Sequence, residues 1–145
     1  MMEFVPFRAG HLRFLKPQEA QRRDYNYMMK SDDLYVLEDG TALSAWVNQR
    51  CIGAAGLVQV RPHKAMAWLI LSEDAAPYML PIARKIRRVF RASPYKRVEL
   101  SVADDFPNGD RFANLIGAVC ETPEPMKFYG ADGRDERMYA LIKEA

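Results

Sequence analysis

The stretch from Cys51 to Ala103 does most to limit what this chain can fold into. Cys51 to Val60 is almost wholly apolar and holds Gly53 and Gly56 within it. Ala65 to Leu71 is a second apolar run, with Met66, Trp68 and Ile70 on one side. Short, continuous apolar runs read as strands covered on both faces, with glycine where the chain bends or another group approaches closely. Arg61-Pro62-His63-Lys64 turns the chain between them. Thr41 to Val47, with Leu43, Ala45 and Val47 on one face, precedes them across Asn48-Gln49-Arg50, so a three-strand antiparallel meander is expected. Pro77 to Ala92 then reads as a helix. Met79, Ile82, Ile86, Val89 and Phe90 form one stripe, while Arg84, Lys85, Arg87, Arg88 and Arg91 fill the rest. Arg97 to Ala103 alternates, with Val98, Leu100 and Val102 inward. A strand reached through a helical crossover lies parallel to an earlier one.

The flanks supply smaller elements. Phe4 to Arg8 is a strand candidate and His11 to Leu15 a helical turn. Pro17 is expected to open a polar helix through about Met29, with Gln18 and Glu19 in its first turn. Ser31-Asp32-Asp33 breaks that helix, Leu34 to Leu37 reads as a short strand, and Asp39-Gly40 as a turn. After Ala103, a helix over about Asp110 to Ile116 ends at Gly117, a residue suited to the left-handed cap. Two last strands, near Cys120 to Tyr129 and Glu136 to Ile142, flank Gly130-Ala131-Asp132-Gly133 in a hairpin pattern. The result is an α/β (α+β) class: one domain over residues 1–145, with a mixed central sheet of six to seven strands and helices on both faces.

Composition removes several classes of function. At 145 residues, 49% hydrophobic and 28% charged, the chain is an ordinary globular one. A net charge of +2 is too small to argue for nucleic acid. No apolar run approaches the roughly 18 residues of a membrane span, and Glu3, Pro6 and Arg8 interrupt the opening stretch, which is unlike a signal peptide. A soluble cytoplasmic protein is expected. Cys51 and Cys120 lie far apart and are read as reduced, buried thiols. His11 and His63 have no second ligand near them, so no metal site is expected. No GxSxG elbow supports a hydrolase.

Three stretches carry a family resemblance: Cys51 to Leu71 leading into the long helix; Val98 to Val102 with the following helix closing on Ile116-Gly117-Ala118; and Phe128-Tyr129-Gly130-Ala131-Asp132-Gly133-Arg134 before Met138-Tyr139-Ala140-Leu141-Ile142. In this order they resemble the GCN5-related N-acetyltransferase (GNAT) fold along essentially the whole chain. Ile116-Gly117-Ala118 is similar to that family's LGF ending.

The resemblance implies acetyl-CoA as cofactor and an amine or a protein amino group as acceptor. It implies a cleft where the fourth and fifth strands splay, with pantetheine pairing on exposed backbone at about Trp68 to Leu71. It also implies a diphosphate resting on backbone amides where the next helix begins. Ile70, Leu71, Ser72, Ala75, Ala76 and Tyr78 are the cofactor-binding candidates, with Asn108 carried over two positions out of register. The family loop reads Q/R-x-x-G-x-G/A, because glycine lets backbone approach phosphate. Here Ser72-Glu73-Asp74-Ala75-Ala76-Pro77-Tyr78 has no glycine, and Pro77 removes a donor. A carboxylate about 7 Å from a phosphate charge costs roughly 2 kcal/mol at an effective dielectric of 20; alternatively Glu73 or Asp74 caps or charge-stabilises the helix.

For catalysis, many members place a tyrosine four residues before the glycine of the LGF-like ending. That position is Ala113. Tyr78, Tyr129 and Tyr139 do not match by motif. Glu99, Asp104 and Asp105 are the candidate general bases, each also readable as a solvated charge. Tyr25, Tyr27, Met28 and Met29 either line an acceptor cleft or pack their helix down. Trp46 and Trp68 read as core or cleft walls.

A narrower likeness joins Arg84 to Arg91, Arg111-Phe112 and Ile116-Gly117-Ala118-Val119 to small internal virion proteins of T7-like phages. It implies a different role: a non-catalytic virion, assembly or interaction protein with phage-protein partners. The sequence leaves both functions standing, an acyl-CoA-dependent N-acetyltransferase with a degenerate loop or a non-catalytic relative.

Overall fold

The structure is a computed structural model that describes residues 1–30, 34–38 and 41–143. Among the described residues seven strands form one mixed sheet: β1 (Met2–Pro6), β2 (Leu43–Val47), β3 (Arg50–Arg61), β4 (Lys64–Leu71), β5 (Arg97–Ala103), β6 (Val119–Cys120) and β7 (Glu136–Ile142). Their order is β1-β2-β3-β4-β5-β7-β6. Three α-helices accompany them among the described residues: α1 (Arg22–Met29), α2 (Met79–Ala92) and α3 (Pro107–Leu115). The meander and the parallel fifth strand are as the sequence predicts: β2 runs antiparallel to β3, and β5 runs parallel to β4 through Lys64↔Arg97, Ala65↔Val98 and Met66↔Glu99.

Two compact units are defined by internal contacts, residues 1–58 with 68–82 and residues 59–67 with 83–145. In the first unit, β1 pairs with β2 and β2 with β3. Val47 and Arg50 face each other across Asn48 and Gln49, both at positive φ (49° and 67°), a type I′ turn whose twist suits a hairpin. The core joins Phe7, Leu12, Leu15, Ala42, Cys51, Ala54 and Ile70, with Tyr25, Met28, Leu34, Leu37, Trp46 and Trp68 packed against it. Tyr25 and Met28 thus hold α1 down, while Tyr27 and Met29 are exposed. Both glycines of β3 meet a neighbour at close range. A Cβ on Gly53 would lie 3.0 Å from a Leu71 methyl, and one on Gly56 would lie 2.8 Å from both Ala42 Cβ and Trp68 Nε1.

In the second unit, β7 pairs with β5 along its whole length, from Arg97↔Ile142 to Ala103↔Glu136. Lys143 fastens the end of α2: its ammonium donates to Phe90 O (3.1 Å), to Arg91 O (3.3 Å) and to Ser93 O. A cation on the last carbonyls is the stabilising sign for a helix C-terminus. Gly117, at φ 94°, ends α3. The Ala118 amide donates to Ala113 O and the Gly117 amide to Asn114 O, both at 3.0 Å, which is the Schellman pairing. This explains the glycine of Ile116-Gly117-Ala118 by backbone geometry alone.

Several expectations need correction. Leu34–Leu37 is a 3₁₀ turn, not a strand. Pro17 does not open a helix: it forms an isolated bridge with Ser72, and helix begins with a 3₁₀ turn at Glu19–Gln21 before α1. α2 starts at Met79 after a 3₁₀ turn at Ala76–Tyr78. α3 starts at Pro107, whose fixed φ suits a first turn. The strand expected from Cys120 to Tyr129 ends at Cys120, and only Met126 regains a bridge, to Glu136. Proline at positions 123 and 125 denies the ladder its amide donors. Cys51 is buried, but Cys120 is half-exposed. The break at Ser31-Asp32-Asp33 and the turn at Asp39-Gly40 lie outside the described residues.

Candidate functional site

The Ser72 amide donates to Ile52 O on β3 at 2.9 Å. Backbone groups alternate sides along a strand, so those of Leu69, Leu71 and Glu73 face the opposite edge of β4. The chain's own Lys16–Gln21 stretch lies along that edge. The Gln18 amide donates to Leu71 O (3.0 Å), and the Glu73 amide donates to Lys16 O (2.9 Å). Gln21 completes the pattern with its side chain: Nε2 donates to Leu69 O at 2.9 Å, and Oε1 accepts from the Leu71 amide at 2.8 Å. Gln18 Nε2 also donates to Gln21 Oε1 at 2.9 Å. Two donors converging on one atom and a carbonyl facing the other fix which way this carboxamide points. Gln21 sits at the N-cap of α1 yet makes no capping bond there, because its side chain is turned to the strand.

The loop after β4 is tied up in a similar way. Ser72, 4% exposed, accepts the Asp74 amide on its Oγ (3.0 Å) and the Ala75 amide on its carbonyl (3.1 Å). The Tyr78 amide donates to Ala75 O (2.8 Å) and the Met79 amide to Ala76 O. With the Glu73 amide on Lys16 and no N–H on Pro77, the amides of Glu73, Asp74, Ala75 and Tyr78 are all engaged within the chain. Neither acidic residue caps the turn, contrary to one expectation: its N-cap, Ala75, receives no side-chain bond. Instead Asp74 pairs with Arg50 (3.1 Å) and Glu73 with Lys16 (3.5 Å). These pairs are exposed and contribute little stability. As folded, the four loop amides are not free to hold a diphosphate.

Among the other cofactor candidates, Ile70 and Ala75 are buried, Leu71 takes part through its backbone, and Ala76 is exposed. Asn108, in the second unit, is exposed on the first turn of α3, and its Oδ1 accepts from Arg111 (3.4 Å).

The candidate bases lie in the second unit. Glu99 is 8% exposed and sits between Lys64 (2.9 Å) and Arg97 (3.1 Å). Burial alone would push its carboxyl up, but bonds to the two cations outweigh this and hold it below the ordinary carboxylate range. Such a group takes a proton poorly. Asp104 pairs with Arg137 (2.7 Å), and Asp105 is exposed. Arg137 also reaches Asp110 (3.8 Å), whose Oδ1 accepts the Tyr139 hydroxyl (2.7 Å). Burial and then Asp110 raise the Tyr139 hydroxyl, making it a weak acid. Ala113 is fully buried, so its site has no space for the missing tyrosine without repacking.

The fold can be compared with known proteins on this footing. No known protein-family model matches the chain, and no curated protein does. Solved structures do. Ard1 from Thermoplasma volcanium superposes with a TM-score of 0.75 at 14% identity, covering 99% of each chain. An acetyltransferase of the GNAT family from Streptococcus pneumoniae gives 0.70 at 11%, covering 99% of this chain and 100% of its own. This chain has the GNAT fold. A spermidine N-acetyltransferase SpeG chimera from Vibrio cholerae and hSSAT gives 0.66 at 16%, covering 97% and 95%. The sequence resemblance assigns pantetheine to about Trp68 to Leu71, which overlaps the start of this 69–73 edge of β4. Gln21 is the residue the sequence reading missed. Its partners lie 48 and 50 positions away, and no local pattern marks it.

Proposed function

We propose that residues 1–145 act as a single acyl-CoA-dependent N-acyltransferase-type domain with slow turnover toward an amine or a protein amino group. One observation carries the reading: the β4 edge accepts an amide, because the Gln21 carboxamide sits there in the manner of a paired strand. Acetyl-CoA supplies the acyl thioester and an arm bearing amides of the same kind. The likeness to a spermidine acetyltransferase supports an amine acceptor. The engaged loop amides and buried Ala113 argue that affinity and rate are both low.

A second reading is a non-catalytic assembly or interaction protein on the same scaffold, a virion component if the chain is phage-encoded. The pairing of Glu99 and Asp104 with cations favours it. Titration calorimetry with acetyl-CoA, followed by acetyl transfer to spermidine, tests the two. Saturable binding with measurable transfer supports the first. Binding without transfer supports the second, and no heat at millimolar acetyl-CoA ends the first.

A further inference from the structure

We infer that the 69–73 edge of β4 is an acyl-CoA arm site that this chain holds closed with its own residues, the Gln21 carboxamide standing in for an amide of the ligand. The inference rests on the acyl-CoA reading for the identity of that ligand.

Four backbone groups on this edge, Leu69 O, Leu71 N, Leu71 O and Glu73 N, each have a partner from Lys16, Gln18 or Gln21. An extended ligand bearing amides needs the same groups. The two kinds of contact differ in how readily they yield. Lys16 and Gln18 use their backbone, so releasing them means peeling the segment away. Gln21 uses its side chain, so rotation about its own bonds uncovers Leu69 O and Leu71 N while the backbone stays put. The Gln21 amide offers one donor and one acceptor to the strand, as a peptide or pantetheine amide does. Gln18 Nε2 on Gln21 Oε1 adds a hold that has no role in α1 itself. Gln21 is half-buried, so the plug is reachable from solvent. A ligand competing with it binds with an affinity reduced by the fraction of molecules in which the edge is open.

The test is acetyl-CoA titration by calorimetry on the full chain, the Gln21→Ala variant and the Gln18→Pro variant, with hydrogen exchange at the Leu71 amide as an independent readout. Gln18 already has φ −63°, suited to proline, so this change removes the donor to Leu71 O and the side chain that holds Gln21. It provides a second route if Gln21→Ala does not fold. Binding tightened about tenfold in either variant, with faster Leu71 exchange, is the expected result. Unchanged affinity with faster exchange overturns the plug but leaves the acyl-CoA reading intact. No binding by any form, with faster exchange, overturns both the reading and the ligand assigned here. Unchanged Leu71 exchange in both variants overturns the closure itself.

Discussion

Gln21 is bonded to the backbone of Leu71 at 2.8 Å across 50 positions of sequence. The bond makes a side chain do the work of a neighbouring strand. Replacing Gln21 with Ala strands Leu69 O and Leu71 N at a part-buried edge, at a cost of about 1–2 kcal/mol. A thermal or urea melt should show that loss. Hydrogen exchange should show the Leu71 amide opening about tenfold faster, with the Ser72 amide, bonded to Ile52, little changed.

Gly56 faces a rigid obstacle. An added methyl meets Ala42 Cβ and the Trp68 indole nitrogen at 2.8 Å, and neither is the end of a flexible side chain. Gly56→Ala is expected to destabilise by about 1–3 kcal/mol in urea unfolding. Gly10→Ala, where a Cβ meets nothing within 4 Å, should change stability far less.

Glu99 makes stability depend on acid. Its carboxyl lies below its ordinary value when folded, so as pH falls the unfolded chain takes up the proton first. The stabilisation is complete above the unfolded value of about 4.3 and is lost as pH drops through the lower folded value. Glu99→Gln should cost about 2 kcal/mol at neutral pH, because Lys64 loses its carboxylate and Arg97 is left with Glu121 alone. It should also flatten the acid limb of a stability–pH profile. An unchanged limb would contradict the assignment.

The two thiols should react unequally. Cys51 is 1% exposed, and burial pushes its thiol up to about 11. Cys120 is half-exposed on the short strand β6. In native protein a disulfide reagent should modify Cys120 alone, with Cys51 following at the unfolding rate.

Much of the fold could be read from residues 51–103, because period and apolarity are local signals: β3, β4, α2 and β5 emerge within a residue or two of their expected bounds. The failures are where distant partners decide. Pro17 looks like a helix opener, yet Ser72 claims it as a bridge partner. Leu34–Leu37 has strand-like residues but forms a 3₁₀ turn, with Leu34 and Leu37 packed on the core. The candidate site was only half legible. Missing glycines and Pro77 signal a poor phosphate loop; the bonds to Ser72 and Ala75 are local turns, but the hold of Lys16 on the Glu73 amide is tertiary and has no local sign. Gln21 carried no signal, since a glutamine early in a helix is ordinary.

The claim that the loop after β4 gives a diphosphate little to hold is tested most directly by comparing affinities for acetyl-CoA and acetyl-pantetheine. With the amides of Glu73, Asp74, Ala75 and Tyr78 engaged and no N–H on Pro77, the loop should add little attraction, and the two dissociation constants should agree within about threefold. Acetyl-CoA binding a hundredfold or more tighter would contradict the account.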